Sequence, residues 1–369
     1  MEPAPKVETR VVLSLEESGH FFLTLDDPLT YLMERLLIWD IVIIATYDVV
    51  FLVDFITMEI QNRTMVTELI LLGFSYDLSV NGGLFIFFLV IYIITIITNN
   101  LIIVVILTTS DLHTPMYYFL CILSFMDLCI STTVVPRLLA DLISTRRTIS
   151  LGACALQFYT SLLLGGTECL ILAIMAYDRY LAICRPLHYP VLMRWSICYR
   201  LTAIAWIFTF FTFVFPSFFM PIDLCSPNQV NHFMCEILAV TKLACVHVDN
   251  SELVILLICF LCLFLPFVLI IVSYACIISS VLKIQSAGRF KAFSTCTSHI
   301  LVVVLFFGTG MLMYFGSSSE YSTNQGKYIS VFYNVICPML NPLIYTLNNK
   351  DVKLKMKKMM KCFILDEHM

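Results

Sequence analysis

Polar side chains that could do chemistry are few in this sequence, and the most telling of them interrupt long apolar runs, where an ionisable group is costly to bury. Asp127, Glu168, Asn100 and Asn341 each stand toward the middle of such a run. Carboxyls and amides brought to one depth can hydrogen-bond one another, and two acids that meet can share a proton. Asp178 and Arg179 directly follow the apolar residues 169–176, and Pro186 and Pro190 then break the helix that carries them. Charges in that position belong at a membrane face. No set built for covalent chemistry stands out: serines and histidines are scattered, Cys and His lack zinc spacing, and no glycine-rich loop is placed to cradle phosphate. These features point away from an enzyme, a bound cofactor and a nucleic-acid partner.

The elements that must position these groups are apolar helices. At 369 residues, with 60% hydrophobic and 13% charged side chains and a mean hydropathy of +0.91, the chain is too apolar for a soluble domain. Seven apolar stretches, residues 82–107, 116–139, 153–181, 197–220, 253–282, 293–315 and 327–347, each exceed or approach the roughly 20 residues a spanning helix needs. The expected fold is an all-α membrane protein, a seven-transmembrane helix bundle with a short cytoplasmic amphipathic helix. Cys154 and Arg179 lie at opposite ends of the third stretch, about 38 Å apart at 1.5 Å per helical residue.

Orientation follows the basic residues. One side would hold Arg179, Arg185, Arg194, Arg200, Lys283, Arg289, Lys291 and the lysine-rich tail; the other, counted from Met58, only Arg63, Arg137, Arg146, Arg147, Lys242 and Lys327. The positive-inside rule then puts the amino end outside the plasma membrane and the tail in the cytosol. Residues 1–57 read as an atypical extension, a charged leader and an apolar patch at 36–55 that Asp40, Asp48 and Asp54 keep from spanning. This extension is expected to be dispensable. Residues 58–81 form the extracellular segment, with the sequon Asn62-Arg63-Thr64 as a glycosylation site; 82–347 form the seven-transmembrane domain and 348–369 the tail, whose Lys and Met pattern suits a helix on anionic lipid.

Four strings are more specific than any composition: LHTPMYYFL at 112–120, MAYDRYLAICRPLHYP at 175–190, KAFSTCTSH at 291–299 and PMLNPLIY at 338–345. Together and in this order they resemble vertebrate odorant receptors, a branch of the rhodopsin-like G-protein-coupled receptors. The likeness runs from Met58 through the tail. Two positions depart from the family pattern: Asn99 stands where glycine is usual, and Asn348 where arginine is usual.

Spacing alone leaves three pairings open among Cys154, Cys225, Cys235 and Cys245. The resemblance implies Cys154 with Cys235 and Cys225 with Cys245, folding the loop between spans four and five over the bundle mouth. It also implies that Asn100, Asp127, Glu168 and Asn341 form a polar cluster; a sodium ion at Asp127 and Glu168 and a purely hydrogen-bonded network both remain open. Asp178, Arg179, Tyr180, Tyr274, Lys291, His299, Asn341, Pro342 and Tyr345 would serve activation and G-protein coupling. Pro342 must break the helical ladder and leave carbonyls for Asn341 and its neighbours to satisfy. Because Arg289 and Lys291 are basic, no ion pair from Arg179 to helix six is available, and other contacts must hold the resting state.

Ser161, Leu162, Gly165, Gly166 and Cys169 share one face of span three by their helical spacing, and the paired glycines leave room for a ligand. By position in the family pattern, Ile258, Cys259, Cys262, Gly310, Met311, Tyr314 and Asn334 join them. With no acid in this set, a small uncharged volatile is favoured over an amine. The implied function is an odorant receptor that activates a stimulatory, olfactory-type heterotrimeric G protein and raises cyclic AMP. Two rivals stand beside it: a receptor-like protein that does not signal, suggested by Asn99 and Asn348, and a transporter, to which seven unpaired spans are poorly suited.

Overall fold

The structure is a computed structural model describing residues 67–75, 77–217, 228–240, 243, 249–283, 286–315, 324–348 and 352–356. The extension 1–57, Asn62, the Cys225 and Cys245 pair and the end of the tail lie outside the described residues.

Among the described residues, seven helices long and apolar enough to cross a membrane occupy the seven expected stretches. Helix α1 spans Leu78–Thr108 and is opened by Asp77, whose carboxylate accepts from the Ser79 amide at 2.9 Å. Helix α2, Pro115–Ile143, starts on a proline at a position where no helical donor is lost. Helix α3, Leu151–Cys184, is capped by Ser150 and stops before Arg185 and Pro186. It is largely buried and central, whereas α1 and the fifth helix leave much apolar surface to face lipid.

Helix α4 runs Trp195–Thr209, passes through a π turn at Phe210–Val214 and ends in Phe215–Ser217. Helices α5, Asp249–Val281, and α6, Ser286–Phe315, follow. Helix α7 is built of Asn324–Val331, a second π turn at Phe332–Ile336, and Cys337–Asn348. Each π turn comes just before a proline, Pro216 or Pro338. A proline ring clashes with the carbonyl four residues back, and widening the preceding turn relieves that clash.

The end of the bundle near Cys154, called the outer end after the orientation expected from the basic residues, carries a small sheet that no periodicity in the sequence announces. Strand β1 (Glu68–Leu71) pairs antiparallel with β2 (Thr148–Ser150), Leu69 opposite Ile149, and parallel with β3 (Gln229–Val230), Leu71 opposite Val230. Leu69, Leu71, Ile149, Leu151, Val230 and the Cys154–Cys235 disulfide form its apolar core. Three chain segments are thereby tied above the bundle. The Arg147 guanidinium donates to the carbonyls of Leu72 and Ser75, and Lys327 on α7 donates to that of Gly73 at 2.6 Å. Gly73 turns there with φ of 65°, a backbone state that favours glycine.

Candidate functional site

Below the sheet, a cavity of about 60 Å³ lies between α3, α4, α5, α6 and α7. Ser161, Leu162, Gly165, Gly166 and Cys169 form one wall, with Cys262 and Asn334 across from them. The glycines set its shape. A Cβ on Gly166 would stand 2.7 Å from Thr209 Cγ2, and one on Gly165 would stand 3.0 Å from the Tyr333 hydroxyl. Thr209 is the last residue of the regular part of α4; just beyond it Phe213 lines the cavity from the α4 π turn, and Tyr333 and Asn334 line it from that of α7.

The roof is Met234, Cys235 and Glu236, drawn down by the bond from Cys235 to Cys154, whose Cα atoms are 5.3 Å apart. Gln157 accepts from the Cys235 amide at 2.8 Å. Ser330 donates to Glu236 Oε2 at 3.3 Å, and Asn334 donates to the Ser330 carbonyl and hydroxyl, so roof and α7 wall form one network. His232 Nε2 lies 3.4 Å from the same Glu236 oxygen. Burial pulls the His232 ring down to about 3, with Lys327 acting in the same direction, so the ring is neutral near pH 7.

At mid-membrane, Asn341 donates to both oxygens of Asp127 at 3.1 and 3.2 Å. Glu168 is buried close enough to Asp127 to interact with its charge. The expected role of Asn100 needs correction. Its side chain is exposed and donates to the Ile96 carbonyl, while Asn99 is fully buried and donates to the Pro338 carbonyl at 3.0 Å. The reason is Pro342. It has no N–H to offer the carbonyl four residues back, which is that of Pro338, and Asn99 supplies the missing donor. Asn341, expected to serve that carbonyl, is engaged with Asp127 instead.

Toward the inner end, Arg179 is paired with the fully buried Asp178, whose second oxygen accepts from Tyr189 at 2.8 Å. Burial and then the charge of Asp178 push the Tyr189 phenol up. Tyr274 on α5 donates to His299 Nδ1 at 2.7 Å, and His299 Nε2 donates to the Leu172 carbonyl at 3.1 Å, because a carbonyl only accepts. One neutral imidazole thus joins α5, α6 and α3. Arg179, His299 and Tyr345 surround a small inner cavity of about 20 Å³. Tyr180 does not reach it and faces a lipid-side groove instead.

A sequence profile of the family described as Olfactory receptor matches residues 88–362. The chain belongs to the olfactory receptor family. It is 47% identical over 258 residues to Olfactory receptor 2B2 of Homo sapiens, covering 69% of this chain and 72% of that protein. It is 44% identical over 313 residues to Olfactory receptor 2B6 of Mus musculus, covering 84% of this chain and 100% of that one. Squid rhodopsin superposes with a TM-score of 0.61 at 18% identity, over 79% of this chain and 88% of that chain, which shows the rhodopsin-like fold. Olfactory receptors are multi-pass membrane proteins that serve as receptors for odorants and are not enzymes.

As an olfactory receptor, the chain brings together seven of its expected ligand residues. Gly310 is buried behind the wall, against Leu263, and Met311 does not reach the cavity. Met313 lines it instead, since two residues apart on a helix is about 200° of rotation and only one of the pair can face inward. The side chains of Ile258, Cys259, Tyr314 and Lys291 lie outside the described residues. Phe158, Phe213, Met234, Glu236, Leu263 and Tyr333 line the cavity without having been expected there. Glu236 overturns the premise that no acid stands in the wall. Its position beside a cysteine tied to the head of α3 was the available signal.

Proposed function

We propose that this olfactory receptor binds a small volatile molecule in the outer cavity and answers by activating a stimulatory-type G protein at its cytosolic end, raising cyclic AMP. The observation that carries this reading is the convergence of Ser161, Leu162, Gly165, Gly166 and Cys169 with Cys262 and Asn334 on one cavity under a tethered roof. That space, about 60 Å³, is smaller than the roughly 300–1,000 Å³ of ordinary ligand pockets, so the structure is read as a closed arrangement. Ligand must select a wider one. By population shift, only a molecule that binds the wide arrangement better than the closed one can signal.

Helix α7 supplies the connection. Tyr333 and Asn334 touch the cavity, Pro338 is held by Asn99, Asn341 by Asp127, and Tyr345 stands beside Arg179. Widening at the π turn would move all four contacts together. The amino end is assigned to the outside and the tail to the cytosol, where Lys355 pairs with Asp111 of the first inner loop at 2.5 Å. A panel of volatiles applied to cells expressing the full chain, with cyclic AMP as readout, tests the reading. Several compounds should raise cyclic AMP, and Arg179→Ala at equal surface level should abolish the rise. Silence across the panel despite full surface delivery, or uptake of a compound without cyclic AMP, would overturn it.

A further inference from the structure

Two residues of the cavity wall, Phe213 and Cys262, border a second space as well. They also line a groove of about 610 Å³ on the far side of that wall, between α3, α4 and α5. All of its lining residues belong to membrane-spanning segments. Ile204, Leu261, Leu265 and Leu269 are each half-exposed or more along it, so it opens to the hydrocarbon of the bilayer and not to water. At 610 against 60 Å³, the groove offers about ten times the room of the cavity it adjoins.

From the groove and its shared wall we infer a further binding site: an intramembrane vestibule in which a lipophilic ligand, already dissolved in the bilayer, docks before passing between Phe213 and Cys262 into the outer cavity. This inference rests on the proposed role of that cavity. The direct route from the outer side runs through Met234, Cys235 and Glu236, which the disulfide and the Ser330 hydrogen bond hold in place. The shared wall is differently made. Phe213 rides on the α4 π turn, where the regular i to i−4 ladder is interrupted. Opposite it is Gly166, where a Cβ would meet Thr209, Phe213 and Cys262 at 2.7, 3.4 and 3.5 Å. Three helices therefore meet at side-chain tips over a glycine. The committed occupant is the receptor's own ligand, because the groove is continuous with the wall of the ligand cavity and its lining suits an alkyl chain.

The test uses the full-length receptor in phosphatidylcholine vesicles and, as probe, decanol carrying an alkyl diazirine, with labelled residues mapped by mass spectrometry after timed photolysis. Groove residues of α4 and α5 should be labelled first and the α3 wall around Ser161 to Gly166 later. Ala205→Trp, which fills the groove without touching the cavity, should slow labelling of the α3 wall about tenfold, equivalent to roughly 1.4 kcal/mol on the barrier, and leave its long-time extent unchanged. Leu261→Trp, at a half-exposed position that tolerates bulk, repeats the test should Ala205→Trp fail to fold. Unchanged labelling rates in both variants would overturn the vestibule, as would a sterol or phospholipid chain that copurifies in the groove and is not displaced by the probe. Wall labelling that depends on the groove in a receptor that never raises cyclic AMP would sink the functional reading alone and leave the vestibule standing.

Discussion

The two ends of the bundle are held by different means. At the outer end a disulfide, a three-stranded sheet and cationic side chains on backbone carbonyls fasten three chain segments over the cavity. At the inner end α3, α5 and α6 are joined by single side-chain hydrogen bonds through His299, and Arg179 leans on Asp178 of its own helix. Covalent and backbone ties survive a change of side-chain rotamer, whereas a single hydroxyl-to-imidazole bond, worth about 1 kcal/mol net, can be exchanged. On the proposed reading, the molecule is fixed where ligand would be enclosed and lightly latched where a G protein would be admitted.

The strongest way to break that contrast is to loosen the outer end. Cys235→Ser removes a bridge between residues 81 apart in sequence, and losing a native disulfide typically costs about 2–5 kcal/mol. Surface delivery measured by flow cytometry should fall sharply and the ligand response with it. Wild-type surface levels and sensitivity in this variant would show that the sheet alone holds the roof. A smaller, more local effect is expected from the two glycines. Gly166→Ala puts a methyl 2.7 Å from the branched tip of Thr209, an overpacking that costs about 1–3 kcal/mol. Gly165→Ala meets only the Tyr333 hydroxyl at 3.0 Å, the far end of a side chain that can swing. Thermal unfolding of the purified receptor should therefore shift down more for Gly166→Ala than for Gly165→Ala; the reverse order would mean that α4, not α7, is the yielding wall.

Much of the architecture was legible because a spanning helix announces itself by length and hydropathy, and the third-span face followed from helical spacing. The π turns were within reach too, since Pro216 and Pro338 each demand relief one turn earlier. What was not legible depends on contacts between distant segments. Strands of two to four residues carry no usable period, and β1 meets partners about 80 and 160 positions away. Asn99 and Asn100 differ by about 100° on one helix, and hydropathy cannot choose between adjacent amides. The choice falls on Asn99 because an orphaned carbonyl on α7 faces it. Glu236 escaped because its depth is set by the cysteine beside it and not by any motif of its own.

The inner end offers the finest test of the contrast. Tyr274→Phe removes one hydroxyl and leaves His299 Nδ1 without its donor, while the bond from Nε2 to the Leu172 carbonyl still anchors the ring to α3. If this bond holds α5 to α6 in the resting arrangement, its loss shifts the resting-to-active ratio by about 1 kcal/mol, roughly fivefold. Basal cyclic AMP at equal surface density should then rise severalfold with no ligand present, while the thermal unfolding temperature moves little, because the outer fastenings are untouched. The direction is the informative part. A fall in basal signal would place Tyr274 among the contacts that build the active arrangement, and the inner end would then be latched in the opposite sense to the one its geometry indicates.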